Sequence, residues 1–269
     1  MSDNVSIEML RAQIDQIDDQ ILDGIIRRNR VVRVIGETKS RDQERIFGFR
    51  PGREAEIMRR ILARLGNQAD PVTIEQIWRA IIGEGLIRQG LVSVSIAPGP
   101  AADGVRFFDL ARSYFGFGAT IQIGPSAGDV RAGLSQVLQN EGVILVAPWP
   151  TASGAGQWWS MAIESRFAPL SIVAGWPIRP NMQPEVALIA KSPTDPSGAD
   201  ETWVMGFDDN RALSAALASS DLTGYEVARA RSAVLFRILD YVEGSDPRLL
   251  RLERAGITGI RILGVRALA

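Results

Sequence analysis

The sequence predicts a multidomain protein with an all-α N-terminal domain and an α/β region that ends in a βαββαβ unit. Three observations support this prediction. Apolar residues recur at a three-four spacing from residue 7 to residue 35, as in a long helix. From residue 91 onward, Gly, Pro and short Val/Ile-rich segments become frequent, which indicates strands. The segments after residue 199 read strand, helix, strand, strand, helix, strand, the order of a ferredoxin-like unit.

The first helix is predicted by a continuous apolar seam. Its positions are Ile7, Leu10, Ile14, Ile17, Ile21, Gly24, Arg28, Val31 and Ile35. Since no proline occurs before residue 51, the helix can extend over about 35 residues, or about 52 Å. A domain of this size cannot cover so long a helix, which implies a partner helix.

Two further helices are predicted by their terminal residues. Pro51 suits the first turn of the second helix, and Gly66 ends it. Asp70 can cap the third helix, which begins at Pro71. The expected apolar faces are Ile57, Ile61, Leu62 and Leu65 in the second helix, and Ile74, Ile77, Trp78, Ile81, Ile82 and Leu86 in the third.

The α/β region is predicted from five short buried strands. They are 91–97, 119–124, 142–148, 169–175 and 185–191. Helices near 104–116 and 127–140 separate the first three strands, which favours a parallel sheet. In the last segment the strands are 202–207, 223–229, 233–241 and 258–265, and the helices are 210–219 and 247–255. The expected domains are therefore 1–90, 91–198 and 199–269.

Composition excludes several classes of function. A net charge of −1 argues against a nucleic-acid-binding protein. The chain has no Cys and no His, which removes disulfides, the usual metal sites and the commonest general base. We therefore expect no metal and no cofactor. No apolar run is long enough to span a membrane and no secretory leader is visible, so we expect a cytoplasmic protein without membrane partners.

Three cations on the first helix are candidate ligands for an anion. Arg28 occupies a seam position, and Gly24 leaves space beside it. A buried cation is costly unless it meets an anion. Lys39, one of only two lysines, shares that face about 17 Å further along the axis. Arg11 is about 26 Å from Arg28 along the axis and about 100° away, so it cannot readily reach the same site from its own helix, whereas an antiparallel partner could bring it there.

Three more candidates are polar residues on the other helices. Arg53 and Glu54 open the second helix, and Gln89 follows the third. A first-turn Glu also suits the helix dipole, and a Gln near a helix end is usually solvated. Together with the cations, these residues suit a small, multiply anionic substrate whose transition state needs positioning and electrostatic stabilisation.

The helical domain resembles a known family. The segments LRAQIDQIDDQIL, RRNRVVRVIGETK, FRPGREAEIMRRIL and IWRAIIGEGLIRQG occur in the order found in the all-α class of chorismate mutase. The resemblance implies a three-helix domain in an intertwined homodimer with shared active sites. It also implies the Claisen rearrangement of chorismate to prephenate, which requires no acid–base residue.

The resemblance also implies a role for each candidate. Arg11 of the partner chain and Arg28 would bind the two carboxylates of chorismate. Lys39 and Gln89 would donate to the ether oxygen. Glu54 would accept a hydrogen bond from the ring hydroxyl, and Arg53 would support the local charges.

Two positions depart from the pattern of some members. Arg50-Pro51-Gly52 stands where some members have an Asp, and Gly85 stands where some have a Ser. We expect these differences to alter affinity without abolishing activity.

The second half resembles a prephenate dehydratase domain followed by an ACT domain, more weakly. The segments DLARSYFGFGATIQIGPSAGDVRAGLSQ and GITGIRILGVRA carry this resemblance. The dehydratase's Thr-Arg-Phe triplet and the ACT domain's Glu-Ser-Arg-Pro loop are absent; Val227-Ala228-Arg229 lies roughly where that loop is expected. We therefore expect no dehydratase activity, and a regulatory or dimerisation role with an aromatic amino acid as the candidate effector.

Two other functions stay open at this point. An isochorismate-pyruvate lyase has the same helical fold and similar cations, although such lyases tend to be short single-domain chains. A non-enzymatic protein could use the same site only to sense chorismate or an aromatic amino acid.

Overall fold

A computed structural model describes residues 6–41, 49–90, 93–99, 104–124, 129–178 and 183–268, with the side chains of 39–41 outside this set. The chain forms two compact units: helix α1 makes up the first, and all elements from α2 onward make up the second. The predicted order, helices followed by a mixed α/β sheet region, is confirmed.

Helix α1 spans Ile7–Arg41, and its length of 35 residues matches the prediction. The large apolar residues of the predicted seam are exposed in the single chain, with exposed fractions between 45% and 64%. They are Ile7, Leu10, Ile14, Ile17, Ile21, Val31 and Ile35. A stripe of this length carries a large hydrophobic free energy that another surface could recover.

Helices α2 (Pro51–Leu65) and α3 (Pro71–Arg88) begin at the predicted prolines. The predicted cap of α3 is also confirmed. Asp70 accepts a hydrogen bond from the backbone N–H of Thr73 at 2.9 Å and from its hydroxyl at 2.7 Å. One of the free N–H groups of the first turn is thereby satisfied.

The predicted apolar face of α3 is only partly correct. Ile82 and Leu86 are buried as expected, but Ile77 is 45% exposed. The buried stripe includes Glu75 and Arg79 instead. The reason is an ion pair that Arg79 forms with α2, described below, which turns a charged stripe inward.

The strands and remaining helices follow the predicted sequence of elements. In chain order they are β1 (Ser93–Ile96), α4 (Gly104–Phe115), β2 (Ile121–Ile123), α5 (Val130–Gln139), β3 (Val143–Pro148), β4 (Ser171–Trp176), β5 (Val186–Ala190), β6 (Asp200–Phe207), α6 (Leu213–Ser219), β7 (Gly224–Ala230), β8 (Ala233–Ile238), α7 (Pro247–Arg254) and β9 (Thr258–Ala267). Two short 3₁₀ helices, Gly154–Ile163 and Ser165–Phe167, lie between β3 and β4.

The strands form one sheet in the order β2-β1-β3-β5-β4-β9-β6-β8-β7. β1 pairs in parallel with β2 and β3, which confirms the predicted parallel unit. β5 pairs antiparallel with β3 and β4. β9 joins the two halves, since it pairs in parallel with β4 at Ile172 and Gly264 and antiparallel with β6.

A close backbone approach marks this junction. A Cβ atom on Gly264 would collide with the backbone of Ile172. Glycine is therefore required where β9 passes against β4.

The core consists of three clusters on the two faces of the sheet. One cluster combines α5 and the 3₁₀ segment with strands of both halves. On the opposite face, α3 and α4 cover the first half, and α6 and α7 cover the second. Trp149, Trp158, Trp159 and Trp176 are at most 4% exposed, as predicted for core residues.

Helices α2 and α3 pack on the α/β region within the second unit. Arg59 of α2 donates hydrogen bonds to the backbone carbonyls of Ser197 and Leu268. A Cβ atom on Gly83 of α3 would collide with the carbonyl of Phe115 at the end of α4, so these helices pack closely. The compact unit thus begins before α2, whereas the sequence analysis places a domain boundary at residue 90.

Among the helices that the structure describes, none has both the length and the apolar character needed to cross a bilayer.

Candidate active site

The three cations predicted on α1 belong to the first unit. Arg11 is exposed, and Arg28 is half-buried. The backbone of Lys39 belongs to α1, and its side chain lies outside the described residues. Because α1 is an uninterrupted helix, Arg28 and Lys39 keep the axial spacing of about 17 Å that the sequence analysis uses.

Arg53 and Glu54 open α2 in different environments. The Arg53 side chain is 63% exposed, and its Nη1 lies 2.6 Å from Glu56 Oε2. The Glu54 side chain is 7% exposed. Consecutive helical residues point about 100° apart, so one faces solvent when its neighbour faces the interior.

Glu54 belongs to a buried polar cluster with Arg79 of α3 and Tyr114 of α4. Oε2 of Glu54 accepts a hydrogen bond from Arg79 Nη1 at 2.7 Å and another from the Tyr114 hydroxyl at 2.9 Å. The Arg79 guanidinium lies over the rings of Tyr114 and Trp176, at 4.3 Å and 5.2 Å from their centroids. Two hydrogen bonds and two cation–π contacts thus offset the cost of burying this ion pair.

The electrostatics keep Arg79 charged and the phenol of Tyr114 neutral. Burial and the negative charge of Glu54 raise the pKa of Tyr114 well above its ordinary value. Burial by itself would lower the pKa of Arg79, but its interactions with Tyr114, Glu54 and Glu75 outweigh burial and raise it. Tyr114 is therefore a permanent hydrogen-bond donor, and Arg79 a permanent cation, at neutral pH.

Sequence reasoning did not single out Arg79 and Tyr114. A partial indication was present, because Glu75 and Arg79 stand four residues apart on α3, a spacing that places them on one face. Glu54 is 25 residues away from Arg79 in the chain, and Tyr114 is 60 residues away from Glu54. Periodicity within one helix cannot reveal contacts of that range.

Gln89 is the residue at which α3 ends. Its backbone N–H donates to the carbonyls of Gly85 at 3.1 Å and Leu86 at 3.0 Å, and its side chain is half-buried. The second unit therefore contains Arg53, Glu54 and Gln89, and the first contains Arg11, Arg28 and Lys39.

A separate cavity of about 290 Å³ lies between α6 and β7. It carries charges of both signs beside an aromatic ring. The lining residues are Arg211, Leu213, Ser214, Leu217, Gly224, Tyr225, Glu226 and Arg229. Arg229 bonds to Glu226 at 2.6 Å and to the buried carboxylate of Asp208 at 2.7 Å.

Over the described part of the chain, no group of three or more Asp or Glu residues is placed to hold a metal ion.

The comparisons with known proteins give one family match. Residues 10–90 match the family described as "Chorismate mutase type II". The match extends from the first turn of α1 to the end of α3. No curated protein matches the chain significantly.

Two solved structures resemble the chain at low identity. One is titled "GqqA- a novel type of quorum quenching acylases", with 12% identity, a TM-score of 0.45, and coverage of 65% of this chain and 95% of that chain. The other is a prephenate dehydratase from Streptococcus mutans, with 14% identity, a TM-score of 0.43, and coverage of 65% and 97%.

Proposed function

We propose that the chain, which carries a chorismate mutase type II domain at residues 10–90, catalyses the rearrangement of chorismate to prephenate. The family match is the observation that carries this proposal. It is supported by the three uninterrupted helices of that segment and by the cations on α1.

The proposed mechanism relies on electrostatic stabilisation. Arg28 and the Arg11 of a second copy bind the two carboxylates and hold the substrate in its reactive conformation. As the C–O bond breaks, negative charge grows on the ether oxygen, to which Lys39 and Gln89 donate. Because these donors bind the transition state more strongly than the ground state, they lower the barrier.

The remaining residues orient the ring. Glu54 accepts a hydrogen bond from the ring hydroxyl, and Arg53, at the same helix end, supports the charges around it. The reaction moves electrons within one molecule and requires no group that titrates near neutral pH. The absence of His is therefore compatible with it.

We infer that two chains assemble through α1. Its exposed apolar seam supports this inference, as does the partial exposure of the predicted apolar faces of α2 and α3. Large exposed apolar surfaces are usually interaction sites. An antiparallel pairing would also deliver Arg11 to the site of the other chain.

We propose that the α/β region has no dehydratase activity. The closest version of the dehydratase triplet is Ser165-Arg166-Phe167. Ser165 is exposed, and the neighbouring Glu164 is occupied by Arg131 and by Arg166. An exposed hydroxyl beside a neutralised carboxylate has no group to activate it.

We propose an ACT-like regulatory role for the C-terminal part. The strand order β9-β6-β8-β7, with α6 and α7 as connections, supports a ferredoxin-like unit. The cavity between α6 and β7 supports an amino acid effector, since Arg211 offers a positive charge to its carboxylate and Tyr225 offers a ring for an aromatic side chain. A cytoplasmic location without nucleic-acid or membrane partners completes the proposal.

One experiment tests the proposal and its alternatives. The purified full chain is incubated separately with chorismate, isochorismate and prephenate, and products are quantified with and without phenylalanine or tyrosine. We expect prephenate from chorismate and no phenylpyruvate from added prephenate. Salicylate and pyruvate from isochorismate would indicate a lyase, and binding without turnover would indicate a sensor.

A further inference from the structure

The α/β region donates a hydrogen bond to one of the residues proposed to contact the substrate. Tyr114 lies in α4, outside the segment 10–90 that matches the mutase family. Its hydroxyl lies 2.9 Å from Glu54 Oε2. A residue outside the mutase segment therefore helps to hold the Glu54 side chain in place.

The Tyr114 ring is held rigidly. It packs edge-on against Phe115 and Trp176, with ring centroids 4.8 Å and 5.2 Å away, and against Phe49 at 6.3 Å. Tyr114 is 1% exposed, so water cannot replace Glu54 as the partner of its hydroxyl. A buried tyrosine hydroxyl needs a partner, and this one finds it in the carboxylate.

Arg79 completes the clamp on the same carboxylate oxygen. Its guanidinium bonds to Oε2 at 2.7 Å and stacks on the Tyr114 ring. Both hydrogen bonds therefore fall on Oε2, which leaves Oε1 outside the clamp. Glu54 is also the most accessible of the three side chains, at 7% exposed against 1% for Arg79, so it is the member of the cluster nearest to solvent.

We propose that Tyr114 and Arg79 are positioning residues of the mutase site. They fix Glu54 so that its Oε1 accepts a hydrogen bond from the ring hydroxyl of the substrate. This inference rests on the proposed mutase function. It makes the α/β region a structural part of substrate recognition, in addition to any regulatory role.

The effect of losing the clamp has a distinctive kinetic form. The ring hydroxyl is on the carbon next to the one whose C–O bond breaks, but its own bonds neither form nor break in the reaction, so we expect Glu54 to bind the ground state and the transition state about equally. Weakening such uniform binding raises KM and leaves kcat unchanged. A merely structural loss would instead lower the folded fraction, which reduces the apparent kcat at constant KM.

The test compares Tyr114→Phe with Tyr241→Phe in the full-length chain. Tyr114→Phe removes one hydroxyl and retains the ring. We expect KM for chorismate to rise about tenfold, the effect of losing one hydrogen bond to a charged group, with kcat changed less than twofold. Tyr241, in the same unit, donates to the carbonyl of Thr194 at 2.8 Å. Tyr241→Phe is expected to leave KM unchanged.

Two further variants keep the test decisive. In a Glu54→Gln background, Tyr114→Phe should raise KM less than twofold further, because the hydroxyl acts through the carboxylate. Arg79→Lys retains the cation but not the planar fork, so it should also raise KM.

The outcomes separate this inference from the function on which it rests. An active wild type whose KM does not change in Tyr114→Phe and Arg79→Lys overturns the positioning role alone. A full KM effect that persists in the Glu54→Gln background does the same. A folded wild type without mutase turnover overturns both.

Discussion

Lys39 is the residue whose chemical type matters most in the proposed mechanism. Only two of the 30 basic residues of the chain are lysine. A compact ammonium suits a point contact to one oxygen better than a planar guanidinium does. In the proposed mechanism this oxygen is the one that gains charge.

We expect Lys39→Ala to lower kcat about a hundredfold, the scale of losing one transition-state donor. Steady-state kinetics on chorismate measure the effect. The other lysine, Lys191, is exposed after β5, so Lys191→Ala serves as the matched control and should leave kcat unchanged. A Lys39→Ala protein that retains more than half of kcat would falsify this role.

The environment of Asp208 predicts how the free energy of unfolding depends on pH. Its buried carboxylate accepts hydrogen bonds from Arg229 and from the backbone N–H of Ala212, each at 2.7 Å. Burial alone would raise the pKa of Asp208, but these bonds outweigh burial and lower it. A carboxylate with a lowered pKa stabilises the fold above the pKa of the unfolded chain, about 3.9, and this contribution is lost as the pH falls through the folded value.

We therefore expect Asp208→Asn to reduce the free energy of unfolding by about 3 kcal/mol at pH 7, as for a broken buried ion pair. The difference from wild type should shrink below about pH 4. Urea titrations at pH 7, 5 and 3.5 measure it, with the exposed neighbour variant Asp209→Asn as the control. A difference that stays constant down to pH 3.5 contradicts this account.

Residue-level prediction from sequence succeeds where one helix carries the pattern. The seam position of Arg28 and the cap at Asp70 follow from neighbours within a few residues. Arg79 and Tyr114 did not emerge, since their importance arises only when α2, α3 and α4 meet around Glu54. The roles of the six predicted site residues stay predictions.

Elements were predictable in kind and nearly in extent. The first turns of α2 and α3 start at the predicted prolines because proline's fixed φ and missing N–H suit that position. The burial of α3 was less predictable. Its isoleucines favoured one face, but the ion pair between Arg79 and Glu54 turned another face toward the interior.

The seam of α1 yields a prediction at the scale of the element. Ile17 belongs to the seam and is 53% exposed in the single chain. Ile17→Asp places a charge where two copies of the helix are proposed to meet, so we expect the dimer to dissociate and mutase activity to fall at least tenfold. Light scattering after size exclusion gives the mass.

Gln16, next in the chain and off the seam, supplies the control. Gln16→Asp adds the same charge to the exposed side of α1 and should leave the mass and the activity unchanged. Dimers that persist in Ile17→Asp argue against pairing through this face.

At the scale of the whole molecule, the proposed shared site predicts that two inactive variants complement each other in a heterodimer. Arg11→Ala and Arg28→Ala should each be inactive as homodimers, since every site then lacks one carboxylate ligand. Mixed after dissociation, they form heterodimers in which one of the two sites has both arginines. We expect up to a quarter of wild-type activity from a random mixture.

Subunit exchange is verified by mass spectrometry of differently tagged chains. A verified heterodimer without recovered activity means that the two arginines do not act in one site. The same mixing experiment with two Arg11→Ala preparations should restore nothing, because neither chain can contribute the missing side chain.

The sheet shows why the whole fold was less predictable than its parts. The strands occur in the predicted sequence, but their lateral order does not follow from it. The junction through β9 depends on a close backbone approach at Gly264, and no local pattern marks that glycine as a contact with Ile172. Contacts across such separations are decided by packing, which periodicity does not encode.

The central position of β9 has a consequence for folding during translation. β9 follows every other strand in the chain, yet it lies between β4 and β6 in the sheet. A ribosome that has not yet released residues 258–267 holds a nascent polypeptide whose two half-sheets have open edges and no bridge between them. The sheet therefore closes only after residues 258–267 have been released, and a premature stop codon before Thr258 leaves a product that exposes those edges to aggregation and proteolysis.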